Sequence, residues 1–187
     1  MTSELIKNTS DLYIRDIQFI SSHLEDDDSG YWARSLIKTI VSFYEADIFI
    51  LKSELVKFCQ KKQVNIQPNV LMYLKNMKYD IKDNGDIKEK YYQVTLKADI
   101  KFAFKQVCSL KGYILKADYN DSRWSQLVNT IGVRNRLTHP KSLTDQSITK
   151  EEIEDCISSY EWFMGNTNFF LTQDAEYYEK IIESKSK

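Results

Sequence analysis

Residues 133–141 read VRNRLTHPK and gather side chains that the chain otherwise uses sparingly. The protein has five arginines, two histidines and two prolines, and Arg134, Arg136, His139 and Pro140 all fall in this segment. A guanidinium such as that of Arg134 clamps a phosphate or a carboxylate through two parallel hydrogen bonds. An imidazole such as that of His139 takes up or releases a proton near neutral pH. The Asn135 amide does not titrate, but it can orient a ring or a phosphate. Arg136 and Lys141 add positive charge that could hold a nucleic-acid backbone.

These residues must be positioned by a helix. The break DYNDS at 118–122 offers Asp121 or Ser122 as an N-cap, and a helix over 122–138 follows, with Trp124, Leu127, Val128 and Ile131 as its inward stripe. Arg134 stands seven residues after Leu127, about 20° away at 3.6 residues per turn. It therefore falls on the apolar face, where a guanidinium must be paired or must line a cleft or an interface. Pro140 biases His139 out of the α region, so the helix ends there and carries the imidazole on its last residue. A structural reading stays open beside the chemical one: Arg134 bound to a carboxylate such as Asp121 or Glu154, with His139 capping the last carbonyls.

Helices dominate the rest of the chain. At 187 residues, with 42% hydrophobic and 28% charged residues but only five glycines and two prolines, it has the length of one domain and suits long helices. The expected elements are helices at 3–24, 31–61, 68–78, 93–116, 122–138 and 150–171, then a short helix fraying into the 173–187 tail. The 31–61 helix is the central one, with Ile37, Ile40, Tyr44, Ile48, Leu51, Leu55 and Phe58 on one face and Leu36, Phe43 and Ile50 on another. EDDDSG at 25–30 stops the first helix and offers Asp28 or Ser29 as a cap. Asn84-Gly85 marks a surface loop or a small hairpin within 78–90. Thr149 and Glu152 form a capping box for the last helix, which carries Ile153, Ile157, Tyr160, Phe163 and Met164 inward. The reading is one all-α helical bundle over 1–187, with no internal repeat and no linker.

Composition also excludes functions. The formal net charge is −1 and the pI about 6.2, so there is no global basic footprint for nucleic acid. Cys59, Cys108 and Cys156 lie far apart in apolar helical patterns and read as buried reduced thiols, not as a disulfide framework or a zinc site. The N-terminus lacks the apolar stretch of a signal peptide, and the greasiest run, IVSFYEADIFIL, is interrupted by Glu45 and Asp47, so a cytoplasmic location is expected. Lys97, Lys101 and Lys105 form a solvated row, Trp32, Trp124 and Trp162 read as core or dimer contacts, and His23 reads as structural. No phosphate loop, Ser-His-Asp set or metal-ligand cluster can be made out.

Arg134 and His139, with four residues between them of which Asn135 is the first, give the spacing Arg-polar-x3-His. RNRLTHPK at the end of a helix in an all-α chain resembles the HEPN family, whose bundles carry an Arg, a polar residue and a His in this pattern. The order of a long central helix, a motif-bearing helix and a further helix is similar too, so the resemblance spans about 30–172. It implies a metal-independent endoribonuclease without cofactors, often a toxin or phage-defence effector, acting on RNA as a homodimer with motifs facing across the interface. Arg134, Asn135 and His139 would be its catalytic residues, with Arg136 and Lys141 on the RNA backbone. The family also implies a separately encoded antitoxin or nucleotidyltransferase as partner, or an inactive HEPN-like module that serves protein–protein interaction.

Overall fold

The protein is described here by a computed structural model covering residues 2–25 and 30–185, with side chains described for 9–25, 30–177 and 179. Its elements are α1 (Thr2–Ser21), α2 (Tyr31–Lys62), α3 (Pro68–Leu74), β1 (Met77–Ile81), β2 (Ile87–Tyr91), α4 (Leu96–Lys111), α5 (Ser122–Thr138), a 3-10 turn (Leu143–Gln146) and α6 (Lys150–Lys185). The class is all-α, with one small antiparallel hairpin. No helix among the described residues is long and apolar enough to cross a membrane.

Two compact units divide the chain, one ending at Tyr44 and resuming at Lys116, the other spanning Glu45–Leu115. The first boundary falls inside the continuous helix α2, so no glycine- or proline-rich linker marks it in the sequence.

In the first unit the core is aromatic. Phe163 of α6 lies 4.5 Å from Tyr44 and 5.9 Å from Phe43, ring centre to ring centre, and Trp162 lies 5.4 Å from Trp124 of α5. Such offset and tilted pairs add to the burial of the rings themselves. A buried polar knot ties three helices: the Tyr44 hydroxyl meets Ser159 Oγ at 2.9 Å, and Thr130 Oγ1 lies 3.4 Å from the same atom. Ser159 also donates to the Cys156 carbonyl, and burial drives the Tyr44 phenol well above its ordinary pKa.

The second unit packs Ile48, Leu55, Val56 and Cys59 of α2 with Leu74, Ile100, Ala103, Phe104 and Val107 as its buried apolar residues. Lys52 is only 1% exposed among them. Its ammonium donates to both oxygens of Asp99 and to Asn76 Oδ1, so each of its three protons has an acceptor. Asn76 takes a left-handed φ of 53°, a conformation that asparagine tolerates well, and turns the chain from α3 into β1.

Several expected boundaries moved, each for a local reason. The third helix stops at Leu74, where Asn76 turns the chain and the alternation of Met77–Ile81 takes over. The fourth stops at Lys111, because Gly112 adopts φ 73° and caps it with a left-handed turn; Ile114, within the range expected for this helix, is 69% exposed. The last helix does not end at 171. No proline interrupts it, and it continues to Lys185 instead of giving way to a separate tail helix. Among its described side chains the buried ones are Cys156, Ser159, Trp162, Phe163 and Phe170, whereas Ile157 is exposed. Cys108 is only half-buried, unlike Cys59 and Cys156. The caps expected at Asp28 or Ser29 lie outside the described residues.

Candidate functional site

The helix α5 begins and ends where expected, from Ser122 to Thr138. Asp121 caps it by accepting from the Arg123 backbone N–H, and the Arg123 guanidinium lies 2.6 Å from the same carboxylate. Hydrogen bonds from Arg123 hold the Asp121 carboxyl below its ordinary pKa. Asp121 is thus occupied by Arg123, and Glu154 pairs with Lys150.

The buried stripe of α5 is Trp124, Leu127, Thr130, Val133 and Leu137. The expected Val128 and Ile131 are only half-buried, because the stripe winds through 130, 133 and 137. Arg134 still falls within its arc and is half-buried. Asn135 points to the exposed side. His139 is the C-cap residue, with φ −127° and ψ 62°; its backbone N–H donates to Asn135 O at 3.0 Å, and its side chain is exposed. On ideal helix geometry five positions separate Arg134 and His139 by about 7.5 Å along the axis and about 140° around it.

Arg136 has another occupation. Its Nη1 lies 2.8 Å and its Nη2 3.1 Å from the two Glu152 oxygens, a bidentate pair, while Nε donates to Asp145 O and Nη2 to Ser147 O. These bonds make Arg136 a staple that fastens the 139–149 connection and the start of α6 onto α5. Burial pushes the Glu152 carboxyl up, but the Arg136 hydrogen bonds and the Thr149 N–H together draw it below its ordinary pKa. The expected Thr149–Glu152 capping box is present, at 3.0 and 3.2 Å. Asp145 accepts from the Lys141 and Ser142 backbone N–H groups, which lower its pKa. The Lys141 side chain is exposed.

Sequence reasoning missed the groove beside this staple. About 430 Å³ opens between α5 and the first turns of α6, floored by Gly132 and Val133 and rimmed by Asn129, Glu151 and Asp155. A Cβ placed on Gly132 would meet nothing within 4 Å. A glycine inside a helix was the available signal, since it weakens the helix and opens its surface. Arg134, Asn135 and His139 do not line this groove. Among the described residues no group of three His, Cys, Asp or Glu side chains could hold a metal ion.

The elsewhere expected features are modest. Lys97, Lys101 and Lys105 are exposed, as a solvated row requires. His23 stacks between Phe19 and Trp32, at 4.5 and 4.8 Å, and its Nδ1 lies 2.8 Å from the Phe19 carbonyl oxygen. Compared with known proteins, the chain matches no family model, no curated protein and no solved structure.

Proposed function

We propose that this chain is a HEPN-type endoribonuclease acting in the cytoplasm as a toxin or defence effector, with Arg134, Asn135 and His139 as its working residues. The single observation that carries the reading is the end of α5: a half-buried arginine within the buried stripe, followed by an exposed histidine at the helix terminus. A guanidinium near an inward face and a titratable ring at an open end suit a cleft formed with a second copy.

The chemistry would be internal transesterification of RNA. A ribose 2′-OH loses its proton to an imidazole, its oxygen bonds to the adjacent phosphorus, and the 5′-oxygen leaves with a proton from a second acid. The products are a 2′,3′-cyclic phosphate and a 5′-hydroxyl. Arg134 would hold the phosphoryl oxygens as charge builds on them. Each chain has one motif histidine, so a two-fold dimer would supply base and acid from two copies of His139. Lys141, exposed at the same end, could hold the RNA backbone. Arg136 would contribute indirectly, by fixing the 139–149 connection. An antitoxin or a nucleotidyltransferase would be the separately encoded partner.

Cleavage of single-stranded RNA by purified protein in EDTA tests this reading, with His139→Ala as the decisive variant. A second reading, an inactive HEPN-like module for protein–protein contact, is favoured by the exposed apolar face of the β1–β2 hairpin. Folded wild type that cuts no RNA would select it.

A further inference from the structure

The hairpin has two open edges. Tyr92 N donates to Asn76 O and Lys82 N to Asp86 O, both at 2.8 Å, so 76–92 and 82–86 are hydrogen-bonded pairs. Bonded and non-bonded pairs alternate along an antiparallel ladder. Met77–Tyr91, Tyr79–Glu89 and Ile81–Ile87 are therefore non-bonded pairs, and their backbone N–H and C=O groups point outward. Among the described residues no third strand and no other backbone hydrogen bond takes up either edge.

The same residues form one face of the hairpin. Ile81 is 81% exposed, Ile87 71% and Tyr91 70%, with Tyr79 about half exposed. Lys78, Asp80, Lys88 and Lys90 occupy the opposite face. A two-stranded sheet is marginal alone, and an open apolar edge recruits another strand.

Charge separates the registers centred on the inner three residues of each strand, the ones that pair most of the strand. If β2 pairs with β2 of a second copy about Glu89, then Glu89 meets Glu89 and Lys88 meets Lys90; about Lys88 or Lys90, lysine meets lysine. The β1 edge behaves differently. Pairing about Lys78 or Asp80 again opposes like charges. Pairing about Tyr79 sets Lys78 opposite Asp80 twice, Met77 against Ile81 twice and Tyr79 against itself. The outward backbone groups of 77, 79 and 81 also fall in register there. Opposite charges and apolar pairs across strands stabilise a sheet, and like charges oppose it.

We propose that β1 pairs antiparallel with β1 of a second copy, about a two-fold axis at Tyr79, to form a four-stranded sheet ordered β2-β1-β1-β2. The contact is isologous, as a closed dimer requires. It involves none of the motif residues and does not depend on the ribonuclease reading.

Two sets of variants of the full chain test it, with mass measured by light scattering. Asp80→Lys turns both Lys78–Asp80 contacts into repulsions and should weaken the dimer about tenfold or more. Adding Lys78→Asp restores opposite charges across the axis and should restore the dimer, although the Asp80–Lys90 pair is absent from both variants. Tyr79→Cys should give a disulfide-linked dimer under mild oxidation, since facing residues of a bonded pair stand about 5.5 Å apart, within disulfide reach. Ile87→Cys, on the far edge, should crosslink no more than the parent. A monomeric wild type, a mass that ignores both charge variants, or equal crosslinking from Tyr79→Cys and Ile87→Cys overturns the proposal. So does a monomer whose hairpin binds oligouridine or an extended peptide instead.

Discussion

The ammonium of Lys52, buried in α2, lies 2.7 and 2.6 Å from the two carboxylate oxygens of Asp99 on α4 and 2.5 Å from Asn76 Oδ1. Asn76 in turn donates to the Tyr91 hydroxyl at 3.4 Å, so the chain of contacts reaches the hairpin. A buried charge is tolerated only when paired and fully hydrogen-bonded.

Breaking that pair should be costly from one side and mild from both. Asp99→Ala leaves a buried ammonium facing Asn76 alone and should destabilise the protein by about 3–5 kcal/mol in urea unfolding. Replacing both partners, Lys52→Met with Asp99→Leu, should recover most of the loss. If the double variant is no better than the single, the ammonium is not what the carboxylate neutralises.

His139→Ala should separate chemistry from folding. The side chain is exposed, so unfolding free energy should stay within about 0.5 kcal/mol of wild type. Loss of RNA cleavage, about 100-fold or more for a general acid or base, is expected with that unchanged stability. A His139→Ala protein that melts early would make the ring a structural cap.

Arg136 and Glu152 set an acid limit. The folded Glu152 pKa is depressed below its ordinary value of 4.5, so its contribution is present above that pH and is lost as pH falls through the lower folded value. Arg136→Ala should cost about 1–3 kcal/mol at pH 7. The gap from wild type should narrow below about pH 4.5. Urea titrations at several pH values read this directly; a gap that does not narrow at all as pH falls from 7 to well below 4.5 would contradict it, while the bonds from Arg136 to the Asp145 and Ser147 carbonyls keep part of it at any pH.

Gly132→Ala should raise stability. Nothing stands within 4 Å of the added methyl, and the residue lies inside α5. The expected gain is about 0.5–1 kcal/mol, as for a helix-interior glycine replaced by alanine. A destabilised variant would mean that another part of the molecule enters the groove.

Local signals were legible where they were strong. The α2 pattern placed ten apolar residues on its packed faces; Leu36, Ile37, Ile40, Phe43, Tyr44, Ile48 and Leu55 are buried, whereas Ile50, Leu51 and Phe58 are only half-buried. Asp121, Pro140 and the Thr149–Glu152 box fixed the two ends of α5 and the start of α6. The end of α4 was signalled by Gly112 and overrun, because the apolar spacing carried on to Ile114. On α5, 3.6-residue periodicity located the inward arc but not which of Val128, Thr130, Ile131 and Val133 would fill it, since that depends on the facing helix.

The amino-acid order by itself determined the helical class, the Asp121 cap, the Thr149–Glu152 box and the placing of a half-buried Arg134 within the inward arc with an exposed His139 at the helix end, because capping, periodicity and the effect of proline are local. Only the tertiary structure decided that Arg136 belongs to Glu152, Lys52 to Asp99 and Tyr44 to Ser159. Those partners stand 16, 47 and 115 positions apart, and no local preference encodes a contact across such distances. Packing brings the groups together, and burial then gives each pairing its strength.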